Sequence, residues 1–215
     1  MKYGESTFDI IYLLFAIILG ICILRKRRDT VGKLMGIAVL ILGCGDAFHL
    51  IPRVFNYFVD ADFTAWLGFG KLVTSVTMTV FYVLMYRLWL RAYGEREDKR
   101  LSIAVYALAA VRILLCLLPQ NRWLQNDGSV LWGVIRNIPF VILGGIDVWL
   151  FWRKRHVIRR FRHVWLLITL SFLFYIPVAV AASLVPMLGM LMLPKTVCYM
   201  ILIWVFRKYA SEESA

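Results

Sequence analysis

Residues 164–206 read VWLLITLSFLFYIPVAVAASLVPMLGMLMLPKTVCYMILIWVF, a run of 43 residues whose single charged side chain is Lys195. A membrane-crossing helix takes about 20 apolar residues, at about 1.5 Å of rise each, to cover about 30 Å of hydrocarbon. The run is too long for one crossing and suits two joined by a tight turn, and Pro186 marks that turn. Spans are therefore predicted over Val164–Leu184 and Pro186–Phe206.

Working outward from this stretch, the same pattern recurs five times. Apolar blocks bounded by charge clusters cover Phe8–Leu24, Lys33–Ile51, Trp66–Tyr86, Leu101–Leu118 and Leu131–Trp152. The blocks lack two-residue alternation, which argues against a barrel, and lipid tolerates only helices or closed barrels. The sequence thus predicts an all-α membrane protein, a single bundle of about seven transmembrane helices in one polytopic domain covering residues 1–215. Connections are short, with no Gly/Ser-rich linker, no internal repeat and no segment large enough to fold alone. Composition agrees: 61% of residues are apolar and the mean hydropathy is +0.74.

The net charge of +12 raises the question of nucleic acid, and its distribution answers it. Eighteen of the 25 Lys and Arg fall in Arg25–Lys33, Arg87–Arg100, Arg153–Arg162 and Arg207–Lys208, all at one end of the predicted bundle. The opposite connections, Val54–Ala65 and Pro119–Val130, hold only Arg122. Such asymmetry is the positive-inside signature. It predicts an N-terminus outside, a C-terminus in the cytoplasm, the lipid bilayer as partner and no nucleic acid. Phe8–Leu24 precedes its positive charges and lacks a small-residue cleavage site, so it reads as a first span, not a signal peptide. All four cysteines lie within spans, and no Asn-x-Ser/Thr sequon occurs. A bacterial plasma membrane is the expected location.

Seven basic residues lie outside the four clusters: Lys2, Arg53, Lys71, Arg112, Arg122, Arg136 and Lys195. Five of them fall within or at the edge of a span, all in the half-membrane away from the clusters, together with Asp46, His49 and Asn137. At about 100° per residue, Asp46, His49 and Arg53 share one face of the second span, and Lys71, Thr74, Ser75, Met78 and Tyr82 share one on the third. Arg136, Phe140, Leu143 and Asp147 align on the fifth. Ser171, Tyr175 and Ala179 do so on the sixth, and Lys195, Cys198, Tyr199 and Leu202 on the seventh. Intramembrane polar residues face a bundle interior or a water-filled cavity, so the stripes and Arg112 predict one outward-facing polar pocket. Arg53 and Lys71, at span ends, could instead reach the headgroups. Arg112 and Lys195, about 10 and 13 Å deep by helical rise, are too deep for that. Asp147 is expected to pair with the Arg153–Arg160 cluster.

A charged side chain at the bilayer centre costs about 2.5–3.5 kcal/mol on insertion scales. Asp46 alone cannot neutralise Arg112, Arg136 and Lys195, and arginine does not deprotonate. Water, a bound anion, or both would complete the site. The first reading is therefore binding or transport of an anionic or zwitterionic small molecule or lipid. Its candidate ligand residues are Arg53, Lys71, Arg112, Arg136, Asn137, Tyr175, Lys195 and Tyr199, with Trp66 and Trp132 walling the apolar part.

An intramembrane lipid hydrolase or transferase is the second reading. The i, i+3 pair Asp46 and His49 would be its catalytic residues, Asp46 orienting His49 as general base. No three-ligand metal set is legible, and no motif calls for a cofactor. In a third reading, seven spans with an outside N-terminus and a lysine in the seventh resemble the rhodopsin architecture. Tyr175 and Pro177 are similar to that family's aromatic-and-proline sixth helix. The resemblance implies a retinal photoreceptor with Lys195 as Schiff base. The third span lacks the carboxylate counter-ion usual in microbial rhodopsins, and residue 191 is Leu, so Asp46 would substitute. Polar stripes could also contact a protein partner or a second copy of the chain.

Overall fold

In the computed structural model, which describes residues 2–181 and 185–212, every long element is a helix. In chain order these are α1 (Lys2–Lys26), α2 (Thr30–Phe58), α3 (Thr64–Ala92), α4 (Lys99–Leu117), α5 (Val130–Arg153), α6 (Val164–Ala181) and α7 (Met192–Glu212). Seven helical segments are long and apolar enough to cross a membrane. Short 3₁₀ turns at Pro119–Asn121, Trp123–Gln125, Arg159–Phe161 and Pro186–Leu191 fill the connections. Helices adjacent in sequence pack side by side, and α1 against α7 closes the ring. α3 also touches α5, which makes it the central helix.

The burial pattern is that of a lipid-facing bundle. Leu114, Leu131, Leu173 and Ile103 each keep more than 60% of their surface exposed, on outward faces. A soluble monomer does not present apolar area on this scale. The fully enclosed side chains are large and partly aromatic, among them Tyr12, Phe81, Tyr82, Phe151 and Phe206.

Helix starts have local causes. Asp29 caps α2 by accepting from the Gly32 N–H at 2.8 Å, and Asp98 caps α4 by accepting from the Arg100 N–H at 2.9 Å. Asp29 is also gripped by Arg27, whose Nε and Nη2 donate at 2.7 and 2.9 Å. That grip holds the Asp29 carboxyl below its ordinary range.

Helices run past several predicted span ends, and two of the differences bear on candidate residues. α2 runs seven residues beyond Ile51, through Pro52. The proline forfeits one backbone hydrogen bond, and the extra two turns are fastened to α1, because Arg53 and Tyr57 both donate to Glu5. At the other end, Pro186 opens a 3₁₀ segment and not an α-helix, and α7 starts only at Met192. Pro194 falls in the first turn of α7, where its missing N–H is unneeded. Lys195 therefore sits in that first turn, not nine residues along a continuous helix. The predicted end of the sixth span at Leu184 lies outside the described residues.

Close helix approach matters at two glycines. A Cβ on Gly70 would come within 2.1 Å of the Phe48 carbonyl, so α3 crosses α2 there backbone to backbone. A Cβ on Gly68 would meet the Trp123 carbonyl at 1.5 Å. Gly68 thus lets the α4–α5 connection lie against the start of α3.

Candidate functional site

That connection roofs a cavity of about 420 Å³ at the end of the bundle opposite the basic clusters. α3 contributes Lys71, Thr74, Ser75 and Met78, the stripe that helical spacing places on one face. α4 supplies Arg112, α5 supplies Arg136 and Phe140, α6 supplies Tyr175, and α7 supplies Lys195. His49 of α2 completes the wall, and Asn121, Arg122, Trp123 and Asn126 form the roof.

Among the described residues, five lining side chains are basic and none is a carboxylate. Four of the five are held by neutral groups. Arg112, 1% exposed, lies with its guanidinium carbon 3.2 Å from the centre of the Phe140 ring. Its Nε and Nη1 are buried without a hydrogen-bond partner among the described residues. Arg136 stacks over Trp123 at 4.4 Å and donates from Nη1 to the Asn121 side-chain oxygen at 2.7 Å. Lys71 donates to the Asn126 side-chain oxygen at 2.6 Å. The Lys195 ammonium lies 4.9 Å from the Tyr175 ring and 5.5 Å from the Tyr199 ring. Among the described residues, Arg122 is the lining cation that forms an ion pair, with Asp127 at 3.4 Å, and both are exposed.

The roof is built around Asn121. Its amide nitrogen donates to the carbonyls of Leu115, Cys116 and Leu118, satisfying the C-terminal end of α4, while its oxygen receives Arg136. The Trp123 indole N–H donates to the Cys116 carbonyl at 2.7 Å. Arg122 and Asn126 take left-handed backbone conformations, at φ 47° and 53°, which fold the connection back over the bundle.

The remaining sequence candidates fall around this cavity. Asn137 and Tyr199 stand just behind its wall. The first accepts from the Tyr175 hydroxyl at 2.9 Å and donates to the Gly133 carbonyl, and the second shares a 3.0 Å hydrogen bond with Tyr82. Arg53 lies outside it, bonded to Glu5 at 3.0 Å and facing Asp9 at 3.8 Å. The aromatic wall is Trp123, Phe140 and Tyr175, and not Trp66 or Trp132. Trp66 lines a separate, lipid-facing apolar groove with Phe48, Ile51 and Phe55.

Asp46 and His49 do not form a hydrogen-bonded pair. Asp46 accepts from Tyr12 at 2.7 Å, and the His49 Nδ1 is buried without a partner among the described residues. Asp147 departs from its expected pairing with the Arg153–Arg160 cluster. It is fully buried on α5, and neither carboxyl oxygen has a partner among the described residues. The arginines of the cluster begin beyond the next turn and point to the exposed end of the helix, where Arg153 and Arg155 lie over Trp149 and Trp152.

Asn121, Trp123 and Asn126 were not singled out from the sequence. They lie in a polar connection outside every helical stripe, so no periodicity marks them. No family model, curated protein or solved structure matches the chain, and the function is read from the geometry of the site.

Proposed function

We propose that this protein binds a small multiply charged anion, a phosphate- or carboxylate-bearing metabolite or lipid headgroup, for reception or transport across the membrane. The observation that carries this reading is the cavity wall, which among the described residues has five basic side chains, no carboxylate, and an arginine with two buried nitrogens lacking a hydrogen-bond partner. Two guanidinium groups favour planar, bidentate partners such as phosphate and carboxylate. A zwitterion would bring an ammonium into a wall with nothing acidic to receive it. The concentration of 18 basic residues at the far end supports an N-terminus outside and a cavity opening toward the outer face of a bacterial plasma membrane.

Native mass spectrometry of the purified protein tests this, with the released small molecules identified. A stoichiometric anion is expected on the wild type and lost from Arg112→Ala and Lys195→Ala, each loss corresponding to about 10- to 100-fold in affinity. If both variants insert normally and keep the same molecule, the reading is wrong.

A further inference from the structure

Three half-exposed tryptophans stand at the basic end of the bundle, each with a cation over its ring. On α5 the guanidinium carbon of Arg153 lies 5.4 Å from the centre of the Trp149 ring, and that of Arg155 lies 4.8 Å from Trp152. On α7 the Lys208 ammonium lies 5.1 Å from Trp204. The pairs on α5 follow from helical spacing. Trp149, Trp152 and Arg153 stand at i, i+3 and i+4, so they share one flank of the last turn. Arg155 lies just past the helix end, where its Nη1 donates to the Trp152 carbonyl at 2.9 Å. Lys154, between the two arginines, pairs instead with Glu95 of the α3–α4 connection at 2.5 Å. The opposite end of the bundle is different. Trp66 there is 63% exposed beside Phe48 and Phe55, with no cation over its ring among the described residues.

Tryptophan settles where acyl chains meet headgroups. A guanidinium lying on an indole face is thereby held at the depth of the lipid phosphates. Stacking uses the plane of the guanidinium and leaves its N–H edges for a phosphate, which they can bind bidentately. No nearby acid competes among the described residues. Asp29 and Asp98 cap helices, while Lys154, Arg87 and Arg160 hold Glu95, Glu97 and Glu212. Arg153 and Arg155 are in no ion pair there. A zwitterionic headgroup would bring its own ammonium against two arginines, and an acidic one brings none. We infer that the Trp149–Trp152 flank of α5, with Arg153 and Arg155, is a binding site for the headgroup of an acidic phospholipid in the leaflet at the basic end. The site lies apart from the anion cavity, and it stands or falls independently of that reading.

Native mass spectrometry of the full chain, released from nanodiscs of mixed phosphatidylglycerol and phosphatidylcholine, measures which lipid stays bound. The wild type is expected to retain phosphatidylglycerol in preference. Trp149→Leu combined with Trp152→Leu leaves every charge in place, and both positions face lipid, so the core packing is untouched. The preference should fall about 2- to 5-fold for each ring lost. Arg153→Gln with Arg155→Gln should lower it about fivefold per arginine. Arg28→Gln with Arg91→Gln removes the same charge elsewhere on that end and should lower it less. A preference untouched by the leucine changes, or equal losses from the two arginine pairs, would mean attraction to the whole basic end and overturns the site. No preference in the wild type overturns it as well, and would leave the flank to an acidic protein partner.

Discussion

The Asn121 side chain joins two structures that the sequence keeps 15 residues apart: its amide nitrogen caps the last carbonyls of α4, and its oxygen receives Nη1 of Arg136 at 2.7 Å. One buried amide therefore ends a helix and aims a pocket cation. Replacing it with alanine removes both functions and leaves buried carbonyls without a donor. Asn121→Ala is expected to destabilise the protein by about 1–3 kcal/mol and to weaken anion binding as well. Thermal melts and sulfate titration on one preparation check both effects. A variant that melts lower but binds as tightly would show that Arg136 is positioned without Asn121.

Arg136 also stacks on Trp123, and only a planar guanidinium can stack and donate sideways at once. Arg136→Lys keeps the charge and loses that geometry, so sulfate affinity is expected to drop about tenfold. Equal affinity in the lysine variant would mean that the wall acts through charge alone.

The α4–α5 roof rests on Gly68. Gly68→Ala would drive a methyl into the Trp123 carbonyl, a backbone atom with no rotamer to relieve the clash. A loss of about 1–3 kcal/mol or more is expected, as for other overpacked sites. Gly145→Ala is the control: nothing lies within 4 Å of that position, and the change should be neutral or gain up to about 1 kcal/mol from helix propensity. Comparable melting of the two variants would refute the packing account of the roof.

Arg53 separates a structural cation from the pocket cations. Its partners are Glu5 and Asp9 on α1, so Arg53→Ala should loosen the α1–α2 contact and lower the melting temperature with sulfate affinity unchanged. A fall in affinity as large as that of Arg112→Ala would bring Arg53 into the site.

Asp29 gives a pH dependence with a defined sign. Its carboxyl is held below the ordinary range by Arg27, so it binds protons less readily folded than unfolded. Its stabilisation is complete above the unfolded carboxyl range and is lost as pH falls through the lowered folded value. Asp29→Ala should cost about 0.5–2 kcal/mol near neutrality, with the difference from wild type shrinking in acid. A gap that stays constant down to the acid limit would show that the carboxylate contributes nothing.

Much of the bundle was legible because apolar blocks and helical periodicity are local properties of sequence. The stripe Lys71, Thr74, Ser75 and Met78 lines the cavity as spacing alone suggests. The partner of Arg53 was not legible, because Glu5 and Asp9 lie on the first turns of another helix and pair only after α2 extends past Pro52. The isolation of Asp147 was hidden for a related reason. Charge proximity along the chain pointed to the Arg153–Arg160 cluster, but the helix turns those arginines away from the core. The roof followed no periodicity at all and depends on left-handed turns at Arg122 and Asn126.

The helices differ in length, with 29 residues each in α2 and α3 and 19 in α4. At about 1.5 Å per residue these are rods of roughly 43 Å and 28 Å. The outward apolar side chains of α4 end at Leu117, while those of α2 continue to Phe58. A bilayer that matches α2 is too thick for α4, and lipid adapts to such mismatch by thinning locally. The annulus should be pinched on the α4 flank, drawing headgroups down toward the roof beside Arg112. Membrane thickness would then become a control on how easily an anion reaches the cavity, with thinner bilayers sparing the protein that deformation.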